Sequence, residues 1–280
     1  MFSTGDDVVC IYSDDDIDGF VGAWCVWRRY PNALTVPASR ATDMLDLTDR
    51  QVYLIGCPFP VQELVRMAQV ARTVTVIERR ESFQVQLSSY VGSFPNNLCI
   101  IYDPQSACSA LTWDYLNFQQ RRPAVINYIE DRTLWRFQYP ETRYIVAALQ
   151  SYLPNFQTWD NLILNTPLEQ LMEEGQILSR RTQVEINRAI STTGRRVNVE
   201  GYDVPMVNVT PTIVSDTCSQ LARGEAFAVG YWDTPSGRHF SLHSTDQGVD
   251  VSQLARHFGG GGSQHAARFE VPREHQMSQM

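Results

Sequence analysis

The sequence predicts an α/β protein in which an N-terminal parallel-sheet domain is joined by a long helix to a smaller mixed α/β domain. β-branched apolar runs alternate with helical segments over the first half of the chain, which is typical of βαβ units. A helical apolar periodicity then runs from Leu164 to Ala189 and ends at Gly194. Short strands separated by turn residues follow it. We therefore predict domains at residues 1–165 and 195–280, with residues 166–194 as the connecting helix.

The first domain opens with a buried strand, Val8–Tyr12, and a buried helix from Gly19 onwards. The remaining elements predicted there are strands at Leu34–Pro37, Val52–Ile55, Thr73–Ile77 and Leu98–Tyr102, and helices at Val61–Ala71, Ala107–Asn117 and from Pro123. Those predicted in the second domain are strands at Val197–Glu200, Tyr202–Val209, Phe227–Trp232, His239–His243 and Ala266–Val271, and helices at Ser215–Ala222 and Val251–Phe258. The segment "TPSG" predicts a hairpin turn after Trp232.

The composition argues against several classes of protein. The net charge of −8 over 280 residues disfavours a surface that binds long nucleic acid. No apolar run has the length of a membrane span and the N-terminus lacks a signal-peptide pattern, so we expect a cytoplasmic protein without membrane contact. The six cysteines lie in or beside apolar segments without a CxxC pair, which indicates reduced core thiols. The sequence leaves open whether the chain forms a homodimer.

An acidic loop follows the first strand and carries Asp14, Asp15, Asp16 and Asp18. Loops at the carboxyl ends of parallel strands are where open α/β sheets bind ligands. Clustered carboxylates repel each other unless a cation lies among them, and a hard metal ion is the usual one. The alternative is a solvated acidic turn in which Asp18 caps the next helix.

A glycine run stands near the end of the chain, in "FGGGGSQHAARF". Four successive glycines, Gly259, Gly260, Gly261 and Gly262, exceed what a helix cap needs, because one glycine suffices there. They would let backbone amides approach an anion closely, with a flexible hinge as the alternative. All 23 basic residues are arginine, so any phosphate held by Lys or Arg would be held by arginine.

Several segments, in this order, resemble the DHH phosphoesterase superfamily: "YSDDDIDGFVGAW", "YIEDRTLWRF", "SLHS" and "VDVSQLARHFGGGG". The resemblance covers Val8 to about Pro272. It implies a parallel-sheet domain that holds two manganese ions, and a DHH-associated domain whose GGGGH loop binds substrate. Members of the superfamily include oligoribonucleases, cyclic-dinucleotide phosphodiesterases and single-strand exonucleases.

The chain departs from this resemblance at the implied metal site. Asp16, Asp18 and Asp131 match ligand aspartates of the superfamily. Ser13 stands in place of the first-motif histidine, and Gly56 in place of the second-motif aspartate. Glu78, Arg79 and Arg80 stand in place of Asp-His-His. Ser263 stands in place of the GGGGH histidine, and Arg268 in place of a later glycine. Two manganese ions need carboxylate and imidazole ligands, but the first 238 residues contain no histidine. We expect no cofactor, with one weakly held Mg²⁺ or Mn²⁺ on Asp16, Asp18 and Asp131 as the alternative.

This pattern favours a protein that binds a phosphodiester without cutting it, because arginine cannot lower the pKa of a water as a metal does. We expect a small phosphorylated nucleotide, a cyclic or linear di- or oligonucleotide, in the cleft between the domains. Arg79, Arg80 and the glycine run would hold it for sequestration or sensing. Further candidate ligand residues are Asn208, Arg238, His243, Ser263, His265 and Arg268. Two alternatives stay open: residual Mn²⁺- or Mg²⁺-dependent phosphodiesterase activity, and an inert scaffold in which Arg79 and Arg80 only pair with the aspartates.

Overall fold

A computed structural model of the chain describes residues 7–41, 45–57, 59–275 and 277. The chain forms two compact units, Met1–Ser179 and Arg180–Met280, whose boundary falls inside the longest helix. Within the described residues, none of the helices combines the length and the apolar character that a membrane span requires.

The first unit contains a five-stranded sheet within the described residues, and all of its strands are parallel. The strands are β1 (Val8–Tyr12), β2 (Leu34–Pro37), β3 (Gln51–Ile55), β4 (Thr73–Glu78) and β5 (Leu98–Tyr102). Their order is β2-β1-β3-β4-β5, so the sheet grows from β1 in both directions. The predicted fold class is thereby confirmed for this part of the chain.

Helices cover both faces of this sheet. They are α1 (Ile17–Arg29), α2 (Val61–Val70), α3 (Glu81–Ser89), α4 (Cys108–Leu116), α5 (Ala124–Thr133), α6 (Thr142–Gln150) and α7 (Phe156–Leu164). Trp24, Ile129 and Leu149 belong to the core on one face, and Leu64 and Phe83 to the core on the other. Apolar burial on both faces explains why β1 is apolar at every position instead of alternating.

The second unit contains a mixed sheet, which follows the helix α8 (Leu168–Thr193). Its elements are β6 (Arg195–Val199), β7 (Tyr202–Asn208), α9 (Val214–Leu221), β8 (Ala228–Asp233), β9 (Arg238–His243), α10 (Val251–His257), β10 (Gly261–Ser263) and β11 (Ala266–Val271). The strand order is β10-β11-β9-β8-β7-β6 among the described residues. The predicted hairpin turn is confirmed by the bond from the Thr234 amide to the Gly237 carbonyl, 2.8 Å long.

Several local predictions differ from the structure, and the helices α6 and α7 were not predicted. Leu164 ends α7 and does not begin the long helix, because Pro167 separates it from α8. The helix α3 has no predicted counterpart; its N-cap Arg80 makes no capping side-chain bond that would mark its start. Gly261–Ser263 form a strand where a loop was expected. Cys99 is exposed, whereas the other five cysteines are buried.

Candidate functional site

The candidate site of the first unit lies at the carboxyl edge of its sheet, where the strand order reverses. After β1 the chain forms β2 on one side of β1, and β3 then pairs on the other side. Open α/β sheets bind ligands in the crevice at such a switch point. The chain places there the loop Ser13–Asp18 after β1, Gly56 after β3, and Glu78–Arg80 at the end of β4. The topology therefore brings these three segments to one edge of the sheet, and ligand binding there stays a prediction.

Asp18 is held by the start of α4. Its side chain is buried, with 2% of its surface exposed. One carboxylate oxygen accepts a 2.9 Å bond from the Cys108 amide, and the other accepts a 2.8 Å bond from the Ser109 amide. Amides at a helix N-terminus stabilise a carboxylate by their unpaired N–H groups and by the helix dipole. The carboxylate of Asp18 is therefore compensated by the protein itself.

Asp16, not Asp18, caps α1. Its carboxylate accepts a 3.0 Å bond from the Gly19 amide, so the alternative in which Asp18 caps this helix is wrong. The pKa of Asp16 is raised, first because neighbouring atoms displace water from its carboxylate and then because Asp18 carries the same charge. Asp14 bonds instead to the amide and hydroxyl of Ser39. The acidic residues of the loop thus have different partners and do not converge on one point.

Glu78 is the buried acid at the end of β4, with 1% of its surface exposed. One of its oxygens accepts bonds from the amides of Arg79 and Arg80, at 2.8 and 2.9 Å, and from Nε of Arg80 at 3.0 Å. Nη2 of Arg80 lies 2.5 Å from the other oxygen and also donates to the carbonyl of Gly56. The Arg80 guanidinium therefore bridges the ends of β4 and β3.

This bridge shifts the pKa of Arg80. Burial disfavours its charged form, but the hydrogen bonds and the charge of Glu78 outweigh burial and raise the pKa overall. Gly56 adopts φ 58°, a left-handed backbone conformation that suits glycine better than the aspartate of the resembled motif. Sequence analysis did not identify the Gly56 carbonyl as a partner of Arg80, because only the strand order brings the two together.

Arg79 has a different environment from Arg80. Its Nε lies 3.7 Å from the nearer carboxylate oxygen of Asp18, a longer contact than a hydrogen bond, and 26% of its side chain is exposed. Arg79 is thus held less closely than Arg80, whose side chain is 34% exposed.

The Asp131 carboxylate accepts hydrogen bonds from the loop that follows α5 and from the start of α6. It is buried in α5, and its carboxylate accepts bonds from the amides of Gln138 and Tyr139 at 2.9 and 3.3 Å. The Thr142 hydroxyl donates a third bond of 2.5 Å. These contacts give Asp131 a clear structural role in fixing residues 134–141.

The residues at this edge do not fit a manganese pair. Within the described residues, no three His, Cys, Asp or Glu side chains are grouped as a metal site. Asp18 and Glu78 already accept hydrogen bonds on both oxygens, and two guanidinium groups lie beside them. A divalent cation would be repelled by those guanidinium groups and would have to displace the bonded donors.

In the second unit, the glycine run is divided between a helix cap and a short strand. The Gly259 and Gly260 amides donate to carbonyls at the end of α10, and φ 79° at Gly259 marks a left-handed helix cap. A Cβ atom on Gly260 or Gly262 would clash with β11, at 2.1 Å and 2.3 Å from its carbonyl oxygens. A Cβ on Gly261 would meet nothing within 4 Å. The part of the glycine run that remains a candidate for binding an anion is therefore Gly261–Ser263.

The strand register groups some of the predicted ligand residues of this unit. Arg268 lies opposite Gly261, and Ala266 lies opposite both Ser263 and His243, so these residues share one face of the sheet. Arg268 and Ser263 are exposed there, whereas His243 is buried. Arg268 is therefore the arginine that the register places directly opposite Gly261.

The remaining three candidates lie elsewhere or have other contacts. Arg238 starts β9 at the end opposite His243 and pairs with Asp233 at 2.8 Å. The Asn208 amide donates to the carbonyl of Tyr231 at 3.1 Å, which favours a structural role. His265 lies 3.3 Å from Asp246.

No family model matches the chain. An uncharacterised protein of Acanthamoeba polyphaga mimivirus is 24% identical over 284 residues, which cover 92% of this chain and 66% of that protein. The chain thus spans slightly less than two thirds of the length of that relative.

Two solved structures share the fold. One is a pGpG-specific phosphodiesterase from Vibrio cholerae, with 14% identity, a TM-score of 0.52, and coverage of 95% of this chain and 94% of that one. The other is an exopolyphosphatase-related protein from Bacteroides fragilis, with 13% identity, a TM-score of 0.54, and coverage of 98% and 89%. At these identities the two likenesses show the fold of the chain.

Proposed function

We propose that this protein binds a small phosphodiester at the carboxyl edge of its parallel sheet and does not hydrolyse it. One observation carries the proposal: Arg79 and Arg80 stand at the end of β4, and the acids beside them are already satisfied. Glu78 is neutralised by Arg80, and Asp18 by the start of α4. Of the two arginines, Arg79 has the longer ion pair, at 3.7 Å from Asp18, and it is the one that would contact a phosphate.

Hydrolysis of a phosphodiester at neutral pH needs a group that activates water. In metal-dependent enzymes the metal lowers the pKa of a bound water and polarises the phosphoryl oxygen. Arginine can stabilise a phosphoryl charge but stays protonated, so it cannot act as the base. The first 238 residues contain no histidine to take that role. Binding without turnover follows, and it suits sequestration or sensing of a nucleotide.

A dinucleotide is the ligand class we propose. The net charge of −8 opposes a long polyanion, whose affinity depends on many neutralised phosphates. One of the two structures that share the fold is named for its action on pGpG, a linear dinucleotide. Because a single arginine can contact one or two phosphates, we propose that a linear or cyclic dinucleotide matches the charge of the site.

An inert scaffold is the second candidate, and the pairing of Arg80 favours it. Nε and Nη2 of Arg80 already donate hydrogen bonds to the Glu78 carboxylate and to the Gly56 carbonyl. If Arg79 moved slightly to form a close pair with Asp18, the edge would hold only internal ion pairs. The two candidates differ in whether replacing Arg79 changes any binding equilibrium.

Calorimetric titration of the full chain with pGpG and with a cyclic dinucleotide separates these candidates. We expect Arg79→Ala to weaken binding about tenfold or more, because a charge-assisted contact contributes roughly 1.5–3 kcal/mol. Arg66→Ala is the matched control, since Arg66 is 71% exposed and the charge change is the same. Arg80→Ala is unsuitable, because it would leave Glu78 buried and unpaired.

The same samples test turnover. With Mn²⁺ added, we expect fewer than two ions retained per chain after dialysis and no cleavage of either dinucleotide by chromatography. Cleavage, or two retained ions, would refute binding without hydrolysis. Absence of binding to the unaltered chain, or equal affinity of Arg79→Ala and Arg66→Ala, would refute Arg79 as the phosphate anchor.

A further inference from the structure

The loop between α5 and α6, residues 134–141, is held in an unusual conformation. Trp135 and Phe137 have φ angles of 56° and 49°, in the left-handed region that large side chains rarely adopt. Such backbone persists only where surrounding contacts over-determine it, and it clusters at functional sites. The loop therefore needs an explanation beyond connecting two helices.

Asp131 supplies the contacts that hold this loop. Its carboxylate accepts from the amides of Gln138 and Tyr139 and from the Thr142 hydroxyl, and its carbonyl accepts from the Arg136 amide at 2.9 Å. The carboxylate and the carbonyl of Asp131 thus hold the loop and the start of α6 through four hydrogen bonds. A loop fixed in this way presents its side chains with little loss of entropy when a ligand binds.

The side chains that the loop presents are aromatic rings combined with arginines. The guanidinium carbon of Arg132 lies 4.0 Å from the centre of the Trp135 ring, and that of Arg143 lies 3.8 Å from the Phe137 ring. The two rings are 5.0 Å apart and nearly perpendicular. Trp135 keeps 36% of its surface exposed. Aromatic rings with adjacent guanidinium groups are the usual means of holding unpaired bases.

The loop is attached to the carboxyl edge that carries the candidate site. Nη2 of Arg136 donates a 2.6 Å bond to the carbonyl of Gln105, in the segment between β5 and α4. At the start of α4, the Ala107 amide donates to Glu130 of α5 at 3.0 Å. The next two amides, of Cys108 and Ser109, are the ones that hold Asp18. One helix start therefore anchors both the acidic loop and the helix that precedes the aromatic loop.

We propose that Trp135 and Phe137 form a stacking platform for a base of the nucleotide whose phosphate Arg79 contacts. This inference rests on the proposed function and adds a base-binding part to it. The cations above the rings strengthen the stack, because a guanidinium group attracts both the ring faces and the nucleotide phosphate. The platform selects for a planar base and not for phosphate alone.

The test compares pGpG with a dinucleotide backbone of the same charge that lacks both bases. Trp135→Asn removes the ring, and asparagine tolerates a positive φ, so this variant retains the loop geometry. We expect it to weaken pGpG binding about tenfold and to leave binding of the base-free backbone unchanged. Trp135→Tyr, which keeps an aromatic face, should bind pGpG nearly as the unaltered chain does. Phe118→Ala is the control, since Phe118 is 90% exposed and outside the loop.

The outcomes separate this inference from the proposed function. Equal pGpG affinity of Trp135→Asn and the unaltered chain would overturn the platform while leaving Arg79 as the phosphate anchor. Equal weakening of pGpG and the base-free backbone would also overturn it, since a stacking platform acts only on bases. If the unaltered chain bound neither probe, the proposed function would fail and the platform with it.

Discussion

At the scale of single residues, the candidate site is defined by how each buried acid is satisfied. Asp18, Glu78 and Asp131 are almost fully buried, and each accepts bonds from at least two backbone amides. A buried carboxylate costs several kcal/mol unless such donors compensate it. These acids therefore stabilise particular loop conformations, and the loops in turn position Arg79 and Trp135.

Asp16 offers a test of charge repulsion at this edge. We expect Asp16→Asn to raise the melting temperature at about pH 7, because asparagine keeps the cap of α1 but removes the like charge beside Asp18. The folded-state pKa of Asp16 is raised, so its ionised form costs stability at pH values above that pKa. The cost disappears as the pH falls below the ordinary value of 3.8, so the gain should vanish near pH 3.

Thermal denaturation at the two pH values, followed by circular dichroism, measures this effect. Asp16→Ala serves as the comparison and should be about 1 kcal/mol less stable than Asp16→Asn at either pH, because both variants remove the charge but only alanine removes the cap. A gain for Asp16→Asn that persisted unchanged at low pH would contradict the charge explanation.

At the scale of elements, strand ends and helix starts carry the chemistry. The site depends on the ends of β1, β3 and β4 and on the start of α4. In the second unit, the glycine run first caps α10 and then forms the edge strand β10. An edge strand leaves one row of backbone groups unpaired, and the small glycines keep that row accessible. Gly261 is a position in this strand where an added Cβ would meet nothing within 4 Å.

We expect Gly261→Val to leave the melting temperature almost unchanged, since its Cβ would meet nothing within 4 Å. Gly260→Val should destabilise the second unit by roughly 1–3 kcal/mol, because its Cβ would lie 2.1 Å from the Arg268 carbonyl oxygen. If this strand contributes to binding, Gly261→Val weakens pGpG binding about tenfold. Melting curves and calorimetric titration of both variants measure these effects. Full pGpG affinity in a stable Gly261→Val variant would exclude the strand from the binding surface.

At the scale of the whole molecule, two sheets with separate cores share the helix α8. Gly175 allows the first half of α8 to pack in the first unit, because a Cβ there would lie 1.7 Å from the Tyr144 carbonyl oxygen. Ala189, in its second half, packs against the core of the second unit. Each unit buries its own cysteines, with the exception of Cys99 on β5.

We expect a thiol reagent to modify one cysteine rapidly in the native chain and all six after unfolding. Burial raises the pKa of Cys57 to about 12 and raises those of Cys10, Cys25, Cys108 and Cys218 as well, so their reactive thiolate forms are scarce. Cys99→Ser should abolish the rapid reaction. A second rapid thiol in that variant would show that a unit opens readily in solution.

The sequence by itself determined the elements and their class. Apolar periodicity identified β1, α1 and the alternating strands of the first unit, because local burial patterns depend on nearest neighbours along the chain. It failed at the start of α3, where no capping side chain marks the helix, and at Pro167, where apolar spacing continued across a residue that breaks the helix. The motif positions also placed Asp16, Asp18 and Glu78–Arg80 after strands of one sheet, as observed.

Only the tertiary structure decided which groups satisfy one another. Cys108 and Ser109 reach Asp18 across about 90 residues, and Gly56 meets Arg80 through strand order. Such partners depend on topology, so spacing along the chain cannot predict them. For the same reason Asp131, a candidate metal ligand by sequence, proved to organise the aromatic loop. The physical reason is that a buried carboxylate is hydrogen-bonded by the donors that the fold places beside it, whatever sequence motif the carboxylate belongs to.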